Sequence, residues 1–245
     1  MKVLTPQTPE AWNAYVRSFA TWDVYYLCEY AVSLKLHGDG EPLLLCFEHG
    51  SERMCYVVMR KDIADDPRFH GLLPAGRLFD LETPYGYGGP LIDAPLSPET
   101  QRIFMEELRT YCLEQHIVTQ FLRYHPLLDN HGVVSPMTET RYLRDTIYMD
   151  TASPELILAN MDSKNRNMVR KAQRSGVTVR EAPMSEYAPF LELYRQTMDK
   201  HSAEEYYTFG TSYFDYLSEH LSDHAFLLYA ELEETPISGA IFFHT

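Results

Sequence analysis

Between Ser163 and Arg180 the sequence gathers six of its 21 basic residues and not one acidic residue. All 35 aspartates and glutamates lie elsewhere, and the chain as a whole carries a formal charge of −14. The stretch MDSKNRNMVRKAQRSGVTVR (161–180) therefore concentrates positive charge in a molecule that is otherwise repulsive to anions. Arginine presents a rigid fork of donors that matches phosphate and carboxylate oxygens. Ser163 suits an N-cap and Gly176 the residue after a C-cap, which predicts a helix of about a dozen residues. On such a helix Arg166, Arg170 and Arg174 recur at i, i+4 and i+8 and share a face, with Lys171 beside them. Met161, Met168, Val169 and Ala172 supply the opposite, core-facing side. Like charges at this spacing repel by a few tenths of a kcal/mol per pair, a cost that a bound anion reverses. The same pattern fits a solvated face, one neutralised by acids elsewhere in the chain, or a surface for a protein partner.

Two further stretches carry groups with chemical potential. ETPYGYGGPL (82–91) is rich in glycine but matches neither GxGxxG nor GxxxxGK[ST]. It reads as a tight turn in which glycines permit positive φ or close backbone approach. If that turn also lines a cleft, Tyr85 and Tyr87 offer hydroxyls and stacking faces. LYRQTMDKHSAEEYYTF (193–209) sets Lys200 and His201 ahead of Tyr206, Tyr207 and Phe209. Cations at a helix C-terminus complement the dipole. The ten histidines form no HExxH, His70 and His125 read as loop residues, and there is no GxSxG nucleophile elbow. The pyrophosphate loop [RQ]-x-x-G-x-[GA] of single-unit acetyltransferases is also missing. Asp145 and Asp150 flank a predicted strand as base or turn residues. No catalytic residue and no metal site is assigned.

The bulk numbers bound these options. A chain of 245 residues suffices for one large domain or two small ones. With 45% hydrophobic and 23% charged residues it has the composition of an ordinary globular protein. The acidic balance argues against DNA as a partner, because a polyanion is repelled nearly everywhere. Cys28, Cys46, Cys55 and Cys112 are widely spaced without a CxxC pair, so neither a zinc site nor a disulfide framework is signalled. The opening MKVLTPQTPEAW has no apolar signal region, and no run approaches the ~18 apolar residues of a membrane span. Reduced thiols in a cytoplasm are the expectation.

The elements that must position these residues are an α+β set. Thr8-Pro9-Glu10 starts a helix, and DVYYLCEYAVSLK is helical by periodicity. EPLLLCFEHGSERMCYVVMR is a β-hairpin around His49-Gly50-Ser51. Short strands follow near Arg77–Asp80 and Leu91–Ile92, then a helix from Ser97-Pro98-Glu99 with Phe104, Leu108, Tyr111 and Cys112 on one face. VTQFLRYHP and RDTIYMD are strands. From Ser153-Pro154-Glu155 the pattern runs helix, basic helix, strand (Val177–Arg180), helices from about Ser185 and Thr211, and a last hairpin turning at Glu233–Pro236. A soft boundary falls near residue 150. The final apolar strand pattern, with nothing after it, predicts an open sheet edge and a chain that stops short.

The run RNMVRKAQRSGVTV (166–179) resembles the R-x-x-[IV]-[RK]-K-A-x-x-x-G-[VI]-x-[VI] signature that opens the second domain of Fem-type (FemAB-like, with the related BioF2-like branch) aminoacyltransferases. DVYYLCEY (23–30), GEPLL (40–44), TPYGYGGPL (83–91), the 193–209 stretch and YFDYL (213–217) agree in order and spacing. The resemblance implies two tandem GNAT-like units, residues 1–150 and 151–245, the second incomplete, with substrate in a cleft between them. It implies acyl or aminoacyl transfer to an amine of a phosphorylated cell-wall, peptidoglycan or surface-polymer precursor. That precursor is a small molecule or lipid-linked. The donor is a co-substrate, aminoacyl-tRNA or acyl-CoA, with no bound cofactor. Arg166, Arg170 and Lys200, with Lys35 in the first unit, would hold acceptor phosphates, while Tyr85 and Tyr87 line the pocket. The lysine implicated in catalysis in that family lies beyond the part that matches here. A CoA-dependent N-acetyltransferase acting on a sugar or polymer precursor, and a non-catalytic nucleotide-sugar binder, are the rival expectations.

Overall fold

The computed structural model describes residues 1–134 and 138–245. The chain opens with β1 (Lys2–Leu4) and α1 (Pro9–Arg17), with Thr8 at the N-cap and proline in the first turn. Trp12 and Val16 are fully buried, and the Trp12 indole N–H donates to the Tyr26 carbonyl at 2.8 Å. The segment predicted as one helix is two elements. Asp23 Oδ1 accepts from Tyr25 N–H and closes a 3-10 turn over Val24–Tyr26, after which α2 runs Cys28–His37. Gly38, at φ +103°, ends α2.

The long hairpin is β2 (Glu41–His49) and β3 (Glu52–Asp62), with His49 opposite Glu52 across the two-residue turn Gly50-Ser51. Successive side chains of a strand point to opposite faces. Here both faces are covered, so the runs are continuously apolar rather than alternating. Leu45, Phe47, Met54, Tyr56 and Val58 form one core with Leu81, Phe104 and Ile117. Leu44, Cys46, Cys55, Val57 and Met59 are buried on the other face, toward α2.

β4 (Phe79–Glu82) and β5 (Leu91–Ile92) pair antiparallel with β3. α3 (Pro98–Glu114) starts where Ser97 Oγ accepts the Thr100 N–H, and it delivers Phe104 to the core. β6 (Ile117–Phe121) pairs parallel with β4, giving the order β1-β2-β3-β4-β6, and α4 (His131–Val134) follows. Residues 144–150 do not form the expected strand. They run without sheet partners, and Ile147 is 95% exposed. An alternating pattern creates a strand only when a neighbouring strand takes up its N–H and C=O groups.

Next come α5 (Pro154–Asn160), α6 (Ser163–Arg174), β7 (Thr178–Pro183), α7 (Tyr187–His201), α8 (Thr211–His220), β8 (Ala225–Leu232) and β9 (Thr235–Phe243). β7, β8 and β9 form a three-stranded antiparallel sheet. The β8–β9 turn places Glu233 and Glu234 both at positive φ, the twist that a two-residue hairpin favours. The backbone divides into two units. The first holds Met1–Arg141, Gly210–His224 and His244–Thr245, so α8 packs on α2; the second holds Tyr142–Phe209 and Ala225–Phe243. Among the described residues no helix is long and apolar enough to cross a membrane, and all four thiols are free.

Candidate functional site

α6 has the predicted length, with Asp162 rather than Ser163 at its N-cap. Its end is a Schellman motif: Gly176, at φ +83°, donates to Gln173 O while Val177 donates to Ala172 O, both at 3.1 Å. No residue of α6 is buried. Met168 and Val169, expected to face a core, are 57% and 40% exposed. The physical reason is composition. Three apolar side chains in twelve positions cannot anchor a helix face.

None of Lys164, Arg166, Arg170, Lys171 and Arg174 lies within ion-pair distance of a carboxylate among the described residues. Among the described residues nothing neutralises their charge. Arg166 is nevertheless engaged, because its Nη1 donates to the carbonyls of Leu158 (3.1 Å) and Met161. It satisfies carbonyls at the end of α5, groups that a helix terminus leaves without intrahelical donors. Arg170 has no such duty. With Asn167, Gln173 and Arg174 it lines a shallow depression of about 560 Å³. Two guanidinium forks and two side-chain amides there present only donors and neutral acceptors, which suits a ligand with several anionic oxygens. Arg180, the sixth cation of the stretch, is set apart by ion pairs to Glu186 (2.9 Å) and Glu231 (3.0 Å). Lys200 sits exposed in the last turn of α7, where Ser202 takes a left-handed conformation at the C-cap. No carboxylate of the described residues pairs with it.

In the first unit the 83–91 turn is built against aromatic rings. Gly86, at φ +109°, lies so close to Tyr25 that a Cβ there would sit 2.6 Å from the ring. A Cβ at Gly89, at φ +87°, would sit 2.8 Å from the Tyr124 ring and 3.0 Å from the Asn130 amide nitrogen. Tyr30 OH donates to the Tyr85 carbonyl at 2.6 Å. Tyr25, Tyr87 and His125 meet edge to face, with centroids 5.8–6.1 Å apart. Burial, then the Asp23 carboxylate and Tyr87, push the Tyr25 phenol up to about 12.

His125, read from sequence as a loop residue, is buried. Its Nδ1 accepts from the Leu127 N–H at 3.2 Å, which leaves the ring proton on Nε2, and Nε2 lies 3.4 Å from Asp23 Oδ2. With Nδ1 taken up by the backbone, the imidazole holds its neighbours in place. Asn130, which sequence reasoning missed, ties the region together. Its amide nitrogen donates to Gly88 O (2.8 Å), Pro90 O and Tyr26 OH, while its oxygen accepts from His125 N–H. Lys35 lies on the surface in an ion pair with Glu41 at 2.7 Å.

The structure thus brings Tyr85 and Tyr87 into one aromatic turn and Arg170 into a donor-lined depression. It leaves Lys35, Arg166 and Lys200 in separate settings. Asn167 and Gln173 carried only the weak signal of i, i+3 spacing to Arg170. Among the described residues no cluster of histidine, cysteine or carboxylates is placed to hold a metal ion.

Residues 128–235 match the profile of the FemAB family. Among solved structures, one described as the crystal structure of FemX superposes with a TM-score of 0.58 at 14% identity, over 95% of this chain and 58% of that one. The chain therefore spans somewhat more than half of that protein's length. No protein in the curated set matches in sequence. The chain is FemAB-like, with a mixed α+β fold similar to that of FemX.

Proposed function

We propose that the chain carries ligand-holding parts of a Fem-type aminoacyltransferase with two GNAT-like units. Such an enzyme moves an acyl or aminoacyl group onto an amine of a phosphorylated cell-wall or surface-polymer precursor. The observation that carries this reading is the depression lined by Asn167, Arg170, Gln173 and Arg174, whose guanidinium groups have no carboxylate partners among the described residues. The reaction needs an activated ester or thioester donor, aminoacyl-tRNA or acyl-CoA. The attacking amine must lose a proton, and the tetrahedral oxyanion must meet donors. Holding both substrates in register supplies much of the rate. Arg170 with Arg174 anchors acceptor phosphates, and Lys200, unpaired among the described residues, is a further cation for the same charge. Tyr85 and Tyr87 present a ring and hydroxyl surface. Arg166 and Lys35 join only by leaving the α5 carbonyls and Glu41, so their main part is to hold α6 and the α2–β2 corner.

The test is thermal stability of the full chain at low salt with a UDP-linked muropeptide, acetyl-CoA and an aminoacyl-tRNA mimic, with turnover assayed in parallel. Stabilisation by the muropeptide that is lost in Arg170→Ala/Arg174→Ala, and that weakens with salt in the parent, supports the reading. Stabilisation by acetyl-CoA alone supports the N-acetyltransferase alternative. Binding without turnover leaves a nucleotide-sugar binder. No stabilisation by any of the three overturns the proposal.

A further inference from the structure

The arginine depression occupies one side of α6; a second stripe runs beside it. Lys164, Met168 and Lys171 follow one another at i, i+4 and i+7, which places a methionine between two lysines on one line of the helix. Val169 lies on the far side of Met168 from those lysines. Both apolar side chains are exposed, as is Leu158 of α5, whose carbonyl Arg166 holds. Neither lysine has a carboxylate partner among the described residues. This is a short amphipathic helix with a basic flank, attached at the surface of its unit with no buried side chain.

We propose that α6 and the end of α5 form a docking surface for an anionic phospholipid bilayer, with Lys164 and Lys171 at headgroup level and Met168, Val169 and Leu158 below it. The pairing of charge with apolar exposure selects lipid over RNA. A phosphodiester backbone rewards every cation on the helix but gives nothing to Met168 or Val169. At a bilayer surface the apolar side chains leave water, while lysine stems extend along them and keep their ammonium groups among the phosphates. The acidic remainder of the chain does not forbid the approach. At physiological ionic strength charges more than ~8 Å from the surface are largely screened, so the local patch governs. Arg170 and Arg174 point to the neighbouring side, which leaves them available for a soluble or headgroup-borne anion. The inference goes beyond the acyl-transfer reading, and its test needs no turnover.

The experiment is co-sedimentation of the full chain with vesicles of phosphatidylcholine alone and of phosphatidylcholine mixed with phosphatidylglycerol. Binding is expected only to the anionic vesicles. Lys164→Gln/Lys171→Gln should weaken it by about 30-fold, given the usual contribution of a basic residue near a charged membrane. Met168→Gln, neutral and of similar length, should weaken it distinctly while circular dichroism and melting stay unchanged, since the side chain is exposed and has no core to disrupt. Binding of an RNA duplex should not respond to Met168→Gln, which leaves the charge of the helix unchanged. No sedimentation with anionic vesicles overturns the proposal. So does vesicle binding undiminished by Met168→Gln, which would mark a general polyanion surface, and so does equal binding to neutral vesicles.

Discussion

β3 of the first unit and β7 of the second each pair with the strand of a hairpin, yet they are built for opposite ends. From Met54 to Met59 every side chain of β3 is buried, because helices cover both faces of its sheet. In β7 only Ala182 is buried. In the second unit one face of the sheet is covered by α7, where Tyr229 OH accepts the Phe190 N–H and donates to Glu186 O. On the other face Val179 and Phe242 stand exposed. The difference separates two tasks. The first unit invests its apolar residues in a rigid scaffold that fixes the Tyr85–Tyr87 turn. The second displays charge and side chains outward, where they can meet something else.

Truncation at matched positions should break that contrast most sharply. Leu45→Ala in β2 removes a fully buried side chain and should cost about 2–5 kcal/mol of urea-measured stability. Val179→Ala in β7 should cost less than about 0.5 kcal/mol, as at other exposed sites. Equal losses would show that the Val179 face of the second sheet is covered as well.

A smaller effect is expected in alkali. The Tyr25 phenol titrates near 10 unfolded and is pushed up to about 12 in the fold, chiefly by burial. The neutral form is the one the fold prefers, so this contribution is intact below pH 10 and is lost as pH rises through 12. At ~1.4 kcal/mol per unit the loss approaches about 3 kcal/mol. Other buried phenols and thiols shift the same way, so the measurement is a difference: stability at pH 9 minus that at pH 12, for the parent and for Tyr25→Phe. The variant should lose distinctly less. An identical loss would mean that Tyr25 is solvated and the turn is open.

Gly86→Ala should follow at about 1–3 kcal/mol, since it combines positive φ with a collision against the Tyr25 ring. Gly50→Ala is the control. It shares positive φ, at +61°, but a Cβ there meets open space. The excess of the first loss over the second measures how tightly the aromatic turn is packed, and a zero excess would release Tyr25 from its role as the floor of that turn.

Much of the scaffold was legible because its signals are local. Ser97-Pro98-Glu99 announces α3 by capping chemistry, and the continuous apolar runs around Gly50-Ser51 announce β2 and β3. What escaped depends on tertiary partners. RDTIYMD has a strand's alternation but, among the described residues, no strand beside it. The break at Leu27 comes from Asp23 closing a 3-10 turn, which periodicity does not register. Met168 and Val169 look like a core face until one asks what would cover them. At the candidate site the arginine spacing was visible in the sequence. The assignment of Arg166 to the α5 carbonyls was not, because it depends on how the chain turns between Asn160 and Ser163. His125 and Asn130 are far from Asp23 and Tyr26 in sequence, and only the fold makes them neighbours.

The smallest predicted effect bears most directly on α6. If Arg170 and Arg174 face water and a ligand rather than hidden carboxylates, each neutralisation should relieve i, i+4 repulsion. Arg170→Gln and Arg174→Gln should each leave stability unchanged or raise it by a few tenths of a kcal/mol at low salt. The double variant should gain less than the sum, because either substitution alone already removes the shared repulsion. The gain should fade as salt is added, since exposed charges are screened within about a Debye length. A double-mutant cycle of melting temperatures at low and high salt checks all three statements. A loss above about 1 kcal/mol from either single substitution would mean that the guanidinium is already paired, and the donor-lined depression would then be a structural contact rather than a place for an anion.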